Sequence, residues 1–471
     1  MVFSSITFLF VFLPAFIIIY YIIGDKFRNL FLFLASLLFY AWGEPRFVLV
    51  LLFSIVINYA AGLLVEVWGK GTKAGPYVVF AAVAANLGLL FYFKYTNFFV
   101  ENINHVFGFL HISLLDIPKV VLPLGISFFT FQGLSYVVDV YKKQIPAQKN
   151  FINLGMYKAL FPQLIAGPIV RYQDIKDQIV TRNYTFERFE EGVCRFILGL
   201  GKKVILANCL GELADSIIGL KIDNLSGPMA WLGMIAFMLQ LYFDFSGYSD
   251  MAIGLGKMIG FDFKENFRYP YISKSMSEVW TRWHISLTTW LRDYIFLSLG
   301  TRVSTARLYA NLLLTFALSG FWHGANWSFV LWGLWNGLFL VLERVTKFNK
   351  KKWLPDPLRW AYTMLAILIG LVLFRLVSMK LAVSYLGTMF GFGGSKVEIM
   401  TIGHYLNLRV VCTLAIAFLA CTPLFREKFL DLKTNSTLVA VSRYAYYGLV
   451  FIVSIILVMN DSYNPFLYYK F

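Results

Sequence analysis

The chain has 471 residues, of which 59% are hydrophobic, 18% aromatic and only 14% charged, and that balance excludes a single water-soluble globule. Lys and Arg outnumber Asp and Glu by 42 to 26, a formal net charge of +16. These charges are dispersed between apolar segments with no basic fold motif, which argues against nucleic acid and for anionic lipid headgroups as the partner of the basic excess.

A membrane-spanning helix needs about 20 mostly apolar residues. Such stretches recur near 5–24, 30–65, 77–94, 119–140, 191–220, 229–256, 308–342, 360–378, 405–424 and 438–459. Some are long enough to fold back, so the expected fold is an all-α polytopic membrane protein with about 10–12 crossings. No fixed-period repeat and no Pro/Gly/Ser-rich linker divides it, so residues 1–471 are expected to form one membrane domain. The first stretch begins at Phe3 with no Lys or Arg before it, whereas Lys26 and Arg28 follow it. That polarity is wrong for a cleaved signal peptide and places the N-terminus outside. Lys142, Lys143 and Lys149, then Arg171 and Lys176, and later Lys347, Lys350, Lys351 and Lys352 are expected to mark further cytoplasmic turns.

Three segments are too polar or too broken to span simply. In "LFPQLIAGPIVRY" (160–172), Pro162 and Pro168 prevent a continuous helix, which suggests a re-entrant element covered by protein. In "LQLYFDFSGYSDMAIGLG" (239–256), Asp244 and Asp250 lie inside an apolar run. Asp244 is either a functional charge or a bridge to a neighbouring helix, and both readings stand. The third segment, 257–307, carries eight Lys or Arg against four Asp or Glu. Within it Ser275 followed by Glu278 reads as a capping box that starts a helix. Trp280, Trp283, His284, Leu287, Trp290, Leu291 and Tyr294 then recur along one face of that helix, and Glu278, Arg282, Ser286, Thr289 and Asp293 along the other. Such a helix is expected to lie along the membrane or cap a vestibule.

The last broken segment, "NLLLTFALSGFWHGANWSFVLWGLWNGLFLVLE" (311–343), carries His323 near its middle. About 15 residues separate Arg307 from His323, or roughly 22 Å of helix, less than the ~30 Å hydrocarbon thickness. His323 is therefore expected inside the membrane. Gly320 and Gly324 would let the chain turn or a ligand approach closely, and Asn326 offers an amide to freed backbone groups. A neutral imidazole there is suited to moving a proton at physiological pH, against the alternative of a helix-packing histidine. His284, on the apolar face just described, reads by itself more as a packed core histidine than as a catalyst. His105, His111 and His404 lie in mixed connecting segments and read as solvated or packed.

Other chemistries find little support. Cys194, Cys209, Cys412 and Cys421 are widely spaced without a C-x-x-C pair and read as packed thiols. Gly201–Lys202 and Gly256–Lys257 lack the rest of a phosphate loop. No metal-ligand spacing is apparent and no G-x-S-x-G elbow is present.

Four stretches resemble the membrane-bound O-acyltransferase family, in its bacterial branch of alginate O-acetylation membrane subunits and teichoic acid D-alanyl transferases. They are "LPLGISFFTFQGLSYVVDVY" (122–141), "FPQLIAGPIVRY" (161–172), "YFDFSGYSDMAIGLGKMIGFDFKENFRYPYISKSMSEVWTRWHISLTTWLRDYIFLSLG" (242–300) and "LSGFWHGANWSFVLWGLWNG" (318–337). One departure is "SLGTRVSTARLYAN" (298–311), where alginate-type relatives usually read "PLGG" followed by a basic residue.

The resemblance implies a ring of helices around a central tunnel, with re-entrant and interfacial helices, in a bacterial cytoplasmic (inner) membrane. It implies that His323 is the essential histidine and His284 a second signature histidine. Trp322, Asn326, Trp283, Arg282, Asp244 and Asp293 are the residues expected to support the site or line the tunnel. Acetyl-CoA or another acyl thioester is the expected donor, with no tightly bound cofactor and no metal. The acyl group would pass to hydroxyls of an extracytoplasmic polysaccharide or to an SGNH-type partner transferase. His323 would act either as a general base or through an acyl-histidine. D-alanyl transfer from a carrier protein to teichoic acid is the alternative, and a transporter or flippase of envelope precursors is the alternative of another class.

Overall fold

The computed structural model describes residues 1–69, 71–348, 353–394, 402–430, 436–460 and 463, and no strand occurs among them. Among the described residues, six helices are long and apolar enough to cross a membrane: Val48–Trp68, Gly75–Phe109, Gly227–Met258, Trp327–Val345, Asp356–Arg375 and Thr437–Asn460. Phe8–Ile22 and Leu408–Ala420 are shorter apolar helices. The Thr437–Asn460 helix leaves Leu449, Ile452 and Ile456 exposed. In a helix of that length, an outward row of aliphatic side chains is the face expected to meet lipid. The chain is a multi-pass membrane protein.

The described residues form two compact units, Met1–Val193 with Ala252–Lys264, and Cys194–Met251 with Glu265–Phe471. In the first, the apolar stretch expected over 30–65 folds back between Asp25–Gly43 and Val48–Trp68. The broken 160–172 segment forms only the short Phe161–Leu164 helix and is buried along its whole length. Pro162 sits in the first turn of that helix, where its missing N–H leaves no bond unmade. The Phe161 N–H donates to Ser36 Oγ (3.1 Å), and the Tyr157 hydroxyl donates to the Val170 carbonyl (3.1 Å). This is irregular backbone satisfied by the protein around it.

Lys142, Lys143, Lys149 and Lys347 are exposed, as turn residues should be, whereas Arg171 is buried at the start of the Tyr172–Val180 helix. There its backbone N–H donates to Asp174 (3.3 Å), so Arg171 marks a helix start inside the unit rather than an open turn. Lys350, Lys351 and Lys352 lie outside the described residues. His105, His111 and His404 are exposed. Of the four thiols, Cys209 and Cys421 are buried, Cys194 is half-buried and Cys412 faces outward.

In the second unit, the helix that ends at Gly201 continues through a wider π-helical turn, Lys202–Ala207, into Asn208–Ile218. That turn carries two consecutive lysines, each matched to a carboxylate on the Gly227–Met258 helix. Lys203 Nζ lies 2.6 Å from Asp244, and Lys202 Nζ lies 2.6 Å from Asp250. Asp250 also accepts Arg195 Nε (2.9 Å), and Arg195 in turn reaches Glu265 (2.7 Å).

The 308–342 stretch is a helical hairpin, Thr305–His323 and Trp327–Val345, broken at Gly324 to Asn326. Gly320 and Gly333 let its two helices touch. A Cβ at Gly320 would run into the Phe329 carbonyl, and one at Gly333 into the Phe316 carbonyl. Gly320 therefore serves close helix approach, not the turn.

Candidate active site

The second unit gathers the site around one chain reversal and one helix end. The single helix expected after Ser275 is in fact two short ones, Met276–Arg282 and Ile285–Leu291. Ser275 Oγ caps the first by accepting from the Glu278 N–H (3.1 Å), but the reciprocal arm goes elsewhere, since Glu278 accepts from the Lys274 N–H (2.9 Å). Glu343, nearly fully buried, clamps the same helix start by accepting from the Met276 N–H (2.6 Å), the Ser277 N–H (2.9 Å) and Ser277 Oγ (2.6 Å). A carboxylate against unsatisfied N–H groups at a helix N-terminus is favourable in both charge and hydrogen bonding.

The break falls at His284, which adopts the left-handed region (φ 43°, ψ 52°). A non-glycine residue there costs about 1–3 kcal/mol and must be held by its surroundings. Asn266 holds it. Its fully buried amide oxygen accepts from the Ser286 N–H (3.2 Å) and Ser286 Oγ (2.9 Å) and lies 3.2 Å from His284 Nδ1, while its carbonyl accepts the Ile285 N–H (3.0 Å). The Ser286 N–H can only donate, so the amide atom facing it is the oxygen, and His284 Nδ1 carries the proton toward that oxygen. The Nε2 lone pair is then the basic one. Phe245 packs edge-on against the imidazole (4.6 Å). Burial first and the nearby His323 second hold the His284 imidazole well below its ordinary value, so it is neutral at physiological pH.

His323 is the last residue of the Thr305–His323 helix and is buried. Its ring meets Trp332 edge-on (5.2 Å), Phe374 (5.6 Å) and Trp322 (4.9 Å). The Trp322 ring also lies 6.2 Å from His284, so one indole links the two imidazoles. His323 lines a narrow cavity of about 40 Å³ together with Trp280, Trp283, Trp332, Asn336 and Phe374. Beside it, a second cavity of about 440 Å³ is lined by Trp280, Phe316 and Leu340 and by hydroxyl groups of Ser277, Thr281 and Thr288. Exposed Arg292 and Arg344 also line this larger space.

The structure thus brings His323, His284, Trp322 and Trp283 together. Asn326 caps the Trp327–Val345 helix by accepting from the Ser328 N–H (2.9 Å), so its amide satisfies freed backbone as expected. Arg282 pairs with Glu278 (2.9 Å) and donates to the Arg268 carbonyl, away from the His323 cavity. Asp293 pairs with its neighbour Arg292 (2.7 Å), and Asp244 is the partner of Lys203.

Sequence reasoning passed over Asn266, Glu343, Trp332 and Phe374. Asn266 and Glu343 act across gaps of 18 and 67 residues, which local periodicity does not see. Glu343 carried a readable signal, as an acidic residue that ends an apolar run.

The sequence model of the membrane-bound O-acyltransferase family matches residues 141–388, which include both histidines. The probable alginate O-acetylase AlgI of Pseudomonas putida is 41% identical over 487 residues, covering 100% of each chain. The peptidoglycan O-acetyltransferase of Helicobacter pylori is 34% identical over 84% of this chain and 80% of its own length. The teichoic acid D-alanyltransferase of Bacillus subtilis is 30% identical over 52% of this chain and 65% of its own.

Proposed function

The chain belongs to the membrane-bound O-acyltransferase family, and from that premise we propose that it moves an acetyl group from a cytoplasmic thioester to hydroxyls on the far side of a bacterial cytoplasmic membrane, with its N-terminus outside. The acceptor is an extracytoplasmic polysaccharide, or a serine of an SGNH-type partner transferase that completes the transfer. Acetyl-CoA is the simplest donor. Full-length likeness to an alginate O-acetylase favours acetyl over D-alanyl transfer, since the D-alanyltransferase match covers only 52% of the chain.

The observation that carries this reading is the buried His323 lining an aromatic-walled cavity, with a neutral His284 one indole ring away. His323 acts as general base. It takes the proton of the acceptor hydroxyl as that oxygen attacks the thioester carbonyl carbon, and the new C–O bond forms as the C–S bond breaks. The proton then passes from His323 to the departing thiolate. His284, fixed in one tautomer by Asn266, orients the donor. Aromatic walls exclude water, which protects the thioester from hydrolysis and strengthens polar contacts inside the cavity.

His323→Ala is expected to lower acetyl transfer by at least ~100-fold, as for loss of a general base, while the protein remains inserted and monodisperse. Transfer measured on the full chain in lipid nanodiscs, at the wild-type rate in that variant, would remove His323 from the reaction.

A further inference from the structure

We propose that Trp280 is a specificity-determining residue of this site, a fixed partition that admits only a short acyl group to His323. This rests on the acyl-transfer reading above and adds what limits the acyl chain. Trp280 is the aromatic residue shared by the two cavities, with about 40 Å³ on the His323 side and about 440 Å³ on the other. Its ring packs between Phe316 (5.1 Å), which lines the larger space, and Trp332 (6.0 Å), which lines the smaller. The Trp332 ring in turn meets His323.

The volumes set the selection. At about 10–15 Å³ for each water-sized centre, the smaller space holds about three such centres, the number of non-hydrogen atoms in an acetyl group. The larger space lies in the range of a small-molecule pocket. Its hydroxyls and exposed Arg292 and Arg344 suit the amide-rich arm and phosphates of a thioester donor. An acetyl carbonyl carbon at the partition has room for its methyl group beyond. A butyryl chain must either displace an indole or leave its carbonyl short of His323. When transfer occurs, the C–S bond breaks and the C–O bond forms as above, and the thiol stays on the larger side.

The partition is held by packing alone. The indole N–H of Trp280 is buried and has no acceptor among the described residues, so no hydrogen bond fixes the ring, and a phenyl ring can take its place without stranding a partner. Phenylalanine should therefore retain selection, whereas a small aliphatic residue should lose it.

The test uses the full chain in lipid nanodiscs with acetyl-CoA and butyryl-CoA as donors and alginate oligosaccharides as acceptor, and reads kcat/KM from thiol release and acyl transfer. At about tenfold for each methylene, the wild type should prefer acetyl over butyryl by roughly 100-fold. Trp280→Ala should bring that ratio below about ten, and Trp280→Phe should keep it within a few-fold of wild type. Trp280→Leu serves as the opening variant should the alanine protein not stay monodisperse. An acetyl-to-butyryl ratio unchanged in the folded Ala or Leu protein overturns the partition while leaving acyl transfer intact. A wild type that uses both donors equally, with activity lost in His323→Ala, does the same. A wild type as inert as His323→Ala toward both donors overturns the acyl-transfer reading and the partition with it.

Discussion

Replacing Asn266 by Ala tests whether the posture of His284 matters to the chemistry. The Asn266 amide oxygen is the acceptor for the Ser286 N–H, Ser286 Oγ and His284 Nδ1, and Asn266 is fully buried. Without it, two donors fixed in place, the Ser286 and His284 N–H groups, lose their acceptor, while the serine hydroxyl can rotate away. At about 1–3 kcal/mol for each buried donor left unsatisfied, the cost is roughly 2–6 kcal/mol, to which the left-handed conformation of His284 adds, since this contact is part of what holds it. The thermal unfolding midpoint of Asn266→Ala in nanodiscs should fall accordingly, and acetyl transfer should drop about 10–100-fold, the usual cost of losing a group that orients an active imidazole. Asn266→Asp separates orientation from charge. It keeps an acceptor at the same place but sets a carboxylate against an imidazole whose pKa burial has lowered, and so raises that pKa. His284 then becomes protonated as the pH falls through the raised value. The Asp variant should be near wild type at high pH and lose kcat/KM on the acid side, whereas the wild type, with His284 neutral throughout, gains no such limb from this residue. A stable Asn266→Ala protein with wild-type transfer and an unchanged pH profile would refute the view that His284 must be held in this posture.

Asp244→Asn should destabilise the protein by about 3–5 kcal/mol because it leaves the nearly fully buried Lys203 ammonium without its counter-charge. The double change Lys203→Met with Asp244→Leu should restore most of that loss, and a double change no more stable than the single would show that the pair does more than neutralise itself. Gly320→Ala should push the hairpin helices apart at a cost of about 1–3 kcal/mol and lower transfer with it. Gly88→Ala, inside the Gly75–Leu90 helix where a Cβ meets nothing within 4 Å, should leave transfer unchanged and stability equal or higher by up to about 1 kcal/mol.

The parts of this fold that composition and local spacing control are legible in the sequence itself. Apolar runs of spanning length, the break at Gly324 to Asn326 and the Ser275 cap all follow from residues within a few positions of one another. The Trp-rich segment after Ser275 departs from the single helix its spacing predicts, and for a physical reason. Its apolar residues recur at helical spacing on both sides of His284, and that periodicity persists whether or not the backbone turns between them. The contact to Asn266, 18 residues earlier in the chain, helps hold the left-handed residue that breaks the helix. The same limit explains Asp244. Its position in an apolar run marks it as costly, but the lysine that neutralises it sits in a π-helical turn 41 residues earlier, where the extra residue in the turn brings Lys202 and Lys203 each to a carboxylate.

The histidine at the end of the Thr305–His323 helix gains its surroundings from what each nearby irregularity supplies. The Gly320 and Gly333 backbones let the hairpin close tightly, so the helix end that bears His323 lies against Trp332 of the returning helix. Had the apolar run continued past His323, that ring would be one more side chain on a helix surface. As successive residues of one helix, Trp322 and His323 face different neighbours, with Trp322 toward His284 and His323 toward the cavity. The second break, at His284, has the complementary effect. It turns the Met276–Arg282 helix so that Val279, Trp280 and Trp283 wall the same space from the opposite chain segment. Each break costs local stability, by a left-handed residue in one case and an interrupted helix in the other. At the His284 break the buried Asn266 amide offsets that cost by accepting the Ser286 N–H, and at the start of the preceding helix the buried Glu343 carboxylate accepts the Met276 and Ser277 N–H groups. The residues that make the cavity and the residues that hold it open are therefore different sets, so substitutions at Glu343 or Asn266 should disturb transfer without touching either substrate.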